Sequence, residues 1–63
     1  MNWAELIKKL RNKLLITQME LGEMLGVSFS TVNRWEMGCH EPTMKLKRKI
    51  AELCKKNGIK MED

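Results

Sequence analysis

Apolar residues recur at helical spacing in four stretches of the 63-residue chain. In the first stretch they lie three or four positions apart, at Trp3, Leu6, Ile7, Leu10 and Leu14. Side chains at this spacing share one face of a helix. The pattern predicts an all-α fold with helices over about residues 3–13, 18–25, 29–37 and 44–56, followed by a frayed tail at 60–63.

Three of the predicted helices begin at a residue that can cap them. Thr17 and Glu20 have the spacing of a capping box, in which each side chain accepts a hydrogen bond from the backbone amide of the other residue. Ser28 and Thr43 are suited to cap the next two helices. Gly26 can adopt the left-handed conformation that ends the second helix. The starts and stops therefore agree with the apolar pattern.

Only residues 26–28 separate the second predicted helix from the third. Because this connection is so short, the two helices must cross at a steep angle, as in a helix-turn-helix. Val32 and Trp35 then point towards the second helix. The opposite face of the third helix carries Phe29, Ser30, Asn33, Arg34 and Met37. A short face with such polar side chains is suited to read base edges in the major groove.

The segment 17–38 resembles the phage repressor/Cro-like helix-turn-helix family, also called the XRE family. The matching residues are Thr17-Gln18, Glu20-Leu21, Leu25-Gly26-Val27-Ser28, Thr31-Val32 and Trp35-Glu36 with Gly38. The flanking helices agree in length and position, so the resemblance extends from about residue 6 to residue 53. It implies a compact, lambda-repressor-like bundle of four to five helices. Four are expected here, because the C-terminal stretch is too short for two full helices.

The resemblance also implies a function, namely a sequence-specific DNA-binding transcriptional regulator that reads the major groove with the helix over residues 29–37. The residues expected to contact bases are Phe29, Ser30, Asn33 and Arg34. The residues expected to contact phosphates are Gln18, Ser28, Thr31, Thr43 and Lys45. The resemblance further implies a structural ion pair between Arg11 and Glu36, and the alternative is two independent surface charges.

Several of these residues have a second interpretation. Arg34 could be a surface arginine paired with Glu41 or with a neighbouring phosphate. The negative charge of Glu41 also argues against phosphate contact by the whole loop after the third helix. Phe29 could contact a thymine methyl group or merely cover the corner between the second and third helices. Gln18 resembles a family glutamine that binds a phosphate at a helix start, but it could be an ordinary first-turn residue.

The placement of charge is informative beyond the net charge of +4. Residues 1–16 have four bases and one acid, residues 17–42 one base and four acids, and residues 43–63 seven bases and three acids. The predicted reading helix is thus flanked by basic segments without being basic itself. This distribution suits backbone attraction from the flanks and base discrimination from the middle, although lysines also simply solvate helix faces in most proteins.

Length and composition exclude several other classes of protein. Sixty-three residues suffice for one small domain, over residues 1–63, and there is neither an apolar run of about 18 residues nor a signal peptide. Cys39 and Cys54 are too few and too far apart for a disulfide framework or a zinc motif. His40 is the only histidine and has no carboxylate at an orienting spacing. We therefore expect a cytoplasmic protein with no metal, no cofactor, no membrane contact and no enzymatic activity.

The expected partner is double-stranded DNA with a palindromic operator. One helix reads too few base pairs for a unique genomic address, so we expect a homodimer on DNA that is weak or absent without it. Five methionines stand out in so small a chain, at Met19, Met24, Met37, Met44 and Met61. Core filling is their default interpretation. An exposed methionine patch would instead favour the rival hypothesis of an antitoxin-like or adaptor module that binds protein.

Overall fold

A computed structural model describes residues 2–61, which form four α-helices and no β-strand. The helices are α1 Trp3–Leu14, α2 Gln18–Leu25, α3 Phe29–Glu36 and α4 Met44–Lys56. The all-α prediction is confirmed. Each helix begins at the residue that the sequence indicated, whereas α1 ends one residue later and α3 one residue earlier.

The helix ends follow local side-chain chemistry. Thr17 Oγ1 accepts a hydrogen bond from the amide of Glu20 at 3.1 Å, and Glu20 Oε1 accepts one from the amide of Thr17 at 2.9 Å, so the capping box is formed. Gly26 ends α2 with a φ of +76°. The extra residue of α1 has a different cause: Leu15 adopts the left-handed conformation, and its amide donates to carbonyls of the last turn. A leucine in that role gave no sequence signal, because glycine is the usual residue there.

The end of the chain also differs from the sequence expectation. Residues 60–63 were expected to fray, yet the side chain of Met61 is half-buried and packs against the core. The turn at Gly58 causes this, since it folds the chain back and lets the amide of Ile59 donate to the carbonyl of Cys54 at 2.8 Å. Residues 62 and 63 lie outside the described residues.

All four helices contribute to one hydrophobic core. Its buried members are Leu6, Ile7, Leu10, Leu21, Leu25, Val32, Trp35, Ile50 and Cys54. α3 packs against both α1 and α2, while α4 packs against α1. Because α3 commits one face to two neighbouring helices, its opposite face is held at the surface in a fixed orientation.

α2 and α3 approach each other closely at Gly22. A Cβ atom at this position would lie 2.7 Å from the carbonyl oxygen of Val27 and 3.4 Å from backbone atoms of Ser28. The amide of Val27 also donates to the carbonyl of Gly22 at 2.8 Å. Both neighbours belong to the backbone of the turn and cannot rotate away. The missing side chain of Gly22 therefore sets how closely the start of α3 lies against α2.

A second constraint on α3 is the ion pair between Arg11 and Glu36. Arg11 Nε donates to Glu36 Oε2 at 2.7 Å, and Nη2 donates to Oε1 at 2.9 Å. The side chain of Glu36 is only 6% exposed and that of Arg11 is 24% exposed. Gln18 Nε2 also donates to Glu36 Oε1, at 3.1 Å. One carboxylate therefore joins α1, α2 and α3, and the alternative of two independent surface charges does not hold.

The environment of Glu36 favours its charged form. Burial opposes ionisation, but hydrogen bonds from Arg11 and Gln18 and the positive charges of Arg11 and Lys8 outweigh it, so the pKa of Glu36 lies below its usual value. Because the pKa of Glu36 is lower in the folded than in the unfolded state, its ionisation stabilises the fold at pH values above the pKa of the unfolded state, about 4.3 for glutamate. This stabilisation is lost as the pH falls through the lower, folded pKa.

We predict that Gly22→Ala destabilises the protein although it improves helix propensity. Overpacking against a rigid turn costs about 1–3 kcal/mol, while replacing glycine in a helix gains about 1 kcal/mol, which leaves a loss of up to about 2 kcal/mol. Urea denaturation measures the loss. Glu23→Ala, on the exposed face of the same helix, is the control and should change stability by less than about 0.5 kcal/mol. A Gly22→Ala variant more stable than the wild type by about 1 kcal/mol, as helix propensity alone predicts, would contradict the close approach.

We also predict that Arg11→Met lowers the free energy of unfolding by about 2–4 kcal/mol at pH 7, less than for a fully buried pair because Arg11 stays partly exposed. The difference from the wild type should shrink below pH 4, because protonated Glu36 no longer needs its partner. Denaturation at several pH values measures this. Glu41→Gln, which removes an exposed ion pair with Lys47, is the control and should be nearly silent. If Arg11→Met lowered the free energy of unfolding by the same amount at every pH, Arg11 would act through packing alone.

Candidate nucleic-acid interface

The outward face of α3 presents three of the four residues expected to contact bases. Phe29 is 51% exposed, and Ser30 and Arg34 are also exposed. The inward face of the same helix is buried in the core at Val32 and Trp35. α3 is therefore a short helix with one buried face and one accessible face, and it can enter a groove without unpacking the domain.

Within residues 2–61 the side chain of Arg34 forms no ion pair with the loop that follows α3, although the amide of Cys39 donates to the backbone carbonyl of Arg34 at 2.9 Å. Among the described residues its suggested partner, Glu41, is paired with Lys47 instead, with 2.9 Å between Oε1 and Nζ. Lys47 Nζ also lies 5.3 Å from the centroid of the Trp3 ring, a cation–π contact that connects α4 to α1. The negative charge of Glu41 is thus compensated by Lys47, and the guanidinium of Arg34 is left accessible.

Asn33 and Gln18 are placed differently from the other candidates. Asn33 is half-buried at the edge of the exposed face, where its Oδ1 accepts from Gln18 Nε2 at 3.4 Å and its Nδ2 lies 3.5 Å from Met37 Sδ. Gln18 also donates to Glu36, so its side chain is directed to α3. The first backbone amides of a helix have no partner within it, so the start of α2 still offers donors to an anion.

The remaining phosphate candidates lie at two other helix starts. Ser28 Oγ accepts from the amide of Thr31 at 3.2 Å, and the two hydroxyl oxygens are 2.9 Å apart. Thr43 Oγ1 accepts from the amide of Leu46 at 3.5 Å, and Lys45 is exposed in the first turn of α4. No hydrogen bond within residues 2–61 joins Thr43 or Lys45 to α3, so these two form a separate group.

The sequence did not reveal that several candidates are linked to one another. A chain of hydrogen bonds runs from Asn33 through Gln18 to Glu36 and on to Arg11. The spacing of Asn33 and Glu36, three residues apart on one helix, was an available signal that both could face the start of α2. The orientation of Asn33 therefore depends on the same network that holds α3 in place.

The methionines do not follow their default interpretation. Met19, Met24, Met37 and Met44 are all at least half-exposed, so core filling is wrong for these four. Among the methionines within residues 2–61, only Met61 packs against the core. The exposed methionines are distributed over the starts or ends of α2, α3 and α4.

Other chemistry is limited within the part of the chain that the structure describes. No group of three or more His, Cys, Asp or Glu side chains is placed to hold a metal ion among these residues. Cys39 is exposed and Cys54 is buried, and both are free thiols. Burial raises the pKa of the Cys54 thiol, which keeps it protonated. None of the described helices has the length and apolarity to cross a membrane.

Comparison with known proteins identifies the family. Residues 7–62 match the model of a helix-turn-helix family. The match covers α2, α3, α4 and most of α1, and therefore nearly the whole chain. Neither a curated protein nor a solved structure matches the chain significantly. The chain belongs to the Cro/C1-type helix-turn-helix family of DNA-binding transcription regulators, the XRE family.

Proposed function

We propose that the chain is a sequence-specific transcriptional regulator that reads base edges in the major groove with α3. The observation that carries this proposal is the division of α3 into a buried face and an exposed face that bears Phe29, Ser30 and Arg34. Because α3 packs against α1 and α2, it is already held in place before DNA binds. Less conformational entropy is therefore lost on binding.

Each exposed side chain has a chemical role in this proposal. The fork of Arg34 bonds guanine O6 and N7, which gives about 1–3 kcal/mol of discrimination. Asn33 bonds adenine or a phosphate after exchanging its contact with Gln18, and Ser30 accepts from or donates to a base edge. Phe29 lines a depression together with Thr17 and Gln18, and the exposed part of its ring meets a thymine methyl group.

The helix starts supply the grip on the DNA backbone. The backbone amides at the start of α2, including that of Gln18, face one phosphate, while the Gln18 side chain stays directed to α3. Ser28 and Thr31 face another phosphate near the start of α3. Thr43 and Lys45 hold the opposite strand at the start of α4. The basic segments on either side of α3 add sequence-independent attraction. In this arrangement phosphate contacts position the domain, and base contacts select the sequence.

We further propose a lambda-repressor-like mode of binding, with two copies on a palindromic operator in the cytoplasm. One α3 reads about four base pairs, whereas a genome offers about a million or more competing sites. Two copies with half-sites about 34 Å apart supply the missing specificity. The many lysines on the exposed face of α4 disfavour self-association before DNA is bound, because like charges repel.

A second candidate function is an antitoxin-like or adaptor module on the same fold. The exposure of Met19, Met24, Met37 and Met44 favours it, since flexible methionines suit adaptable protein surfaces. A gel shift on random duplex separates the two candidates, because an adaptor without DNA contact gives no shift at low salt.

We predict that Arg34→Ala and Lys45→Ala weaken DNA binding in different ways. Selection from randomised duplexes should show that Arg34→Ala loses preference at one base pair, by about 1–3 kcal/mol. Lys45→Ala should weaken all sequences alike and reduce the slope of log affinity against log salt by about 0.9, the value for one phosphate contact. Equal and sequence-blind losses from both substitutions would remove Arg34 from the reading role.

We predict that the protein is monomeric at micromolar concentration and pairs only on its operator. Sedimentation velocity without DNA should give the mass of one chain, and duplexes with two half-sites should bind more tightly than those with one. The reason is that the contact between copies is too weak to form before DNA aligns them. A tight dimer in the absence of DNA, or full affinity for a lone half-site, would contradict this model.

A further inference from the structure

An open apolar groove of about 580 Å³ lies between the end of α2 and the second half of α4. Met24, Leu25 and Leu53 form its apolar part, and we call it the α2/α4 groove. Leu25 is buried, Leu53 is half-buried and Met24 is 50% exposed. No residue of α3 lines the groove, so an occupant would leave the reading face uncovered.

The charged residues around this groove are mainly basic. Lys49, Lys55 and Lys56 line it together with a single acid, Glu52. Within residues 2–61 none of these three lysines has a carboxylate oxygen within 4.0 Å. The two ion pairs in this part of the chain involve Arg11 and Lys47. The lysine stems add to the apolar wall, while their ammonium groups remain in solvent. The groove therefore combines an apolar floor with unpaired positive charge.

A second depression lies beside the α2/α4 groove. It is lined by Ala51, Ile59 and Met61, and it shares Glu52 and Lys55 with the α2/α4 groove. The exposed side chains of Glu52 and Lys55 separate the two depressions. The α2/α4 groove by itself is lined by α4 residues from Lys49 to Lys56, so an occupant can extend along α4 over about two helical turns.

We propose that the α2/α4 groove binds an acidic amphipathic helix of a partner protein. An amphipathic helix places apolar side chains at intervals of three or four residues into such a groove, and acidic residues beside its apolar stripe complement the three lysines. A second copy of the chain fits poorly, because it would bring the same lysines against each other. The proposal does not depend on how α3 reads DNA, so either can fail alone.

The test uses the full chain and a pair of synthetic helical peptides of about 18 residues, or five turns. One has leucines at helical spacing flanked by glutamates, and the other has the same leucines flanked by lysines. The acidic peptide is titrated into the protein while the methyl NMR signals of methionine and leucine are recorded. The signals of Met24 and Leu53 should shift, and those of Met19 and Met37 should not. The basic peptide should not bind.

Two matched pairs of variants locate the site. Met24→Gln should weaken the acidic peptide, whereas Met19→Gln, also on the exposed surface of α2, should not. The double variant Lys49→Gln/Lys55→Gln removes two positive charges. It should weaken binding of the acidic peptide about fivefold, the effect of two exposed charge pairs. Lys9→Gln with Lys13→Gln removes the same charge from exposed positions of α1 and should leave the affinity unchanged.

Several outcomes would overturn the proposal. They are failure of the acidic peptide to bind at millimolar concentration, equal binding of both peptides, or NMR shifts that centre on α3. Sedimentation showing a dimer whose formation is abolished by Met24→Gln would identify a second copy as the occupant, and would also overturn it. Each control variant must retain the helical circular dichroism and melting behaviour of the wild type, which separates loss of binding from loss of folding.

Discussion

The carboxylate of Glu36 is the point at which three of the four helices meet. It accepts hydrogen bonds from Arg11 of α1 and from Gln18 of α2, while belonging to the last turn of α3. A buried carboxylate without partners is costly, so the three side chains must be in place together. Because Gln18 also contacts Asn33, the same network reaches the edge of the exposed face of α3. The position of α3 therefore depends on the hydrogen bonds made by Glu36 at its C-terminal end.

The start of α3 is constrained by packing rather than by charge. At Gly22 the backbone of α2 comes so close to the turn that there is no space for a methyl group. Steric exclusion fixes one end of α3, and the Arg11–Glu36 pair fixes the other. A domain this small has a modest core, so two specific constraints on one short helix are an effective way to preserve its orientation. The proposed reading of base edges by α3 requires such rigidity.

The two surfaces proposed to bind partners differ in chemistry. The exposed face of α3 is mixed, with one aromatic ring, one guanidinium and a hydroxyl, which suits the varied edges of base pairs. The α2/α4 groove is apolar with unpaired lysines around it, which suits an acidic helix and not a base edge. Since α3 contributes nothing to the groove, one domain can present both surfaces at once.

The sequence by itself determined the helices, their caps and the family. Periodicity and capping are local properties, so Thr17, Glu20, Ser28 and Gly26 could be interpreted without knowing the fold. The family resemblance implied one distant contact, the Arg11–Glu36 pair, and the tertiary structure decided the others. It turned Gln18 towards Glu36, paired Glu41 with Lys47 and left four methionines at the surface. These outcomes depend on how α1, α2 and α4 are placed around α3, and residue spacing along one chain does not contain that information.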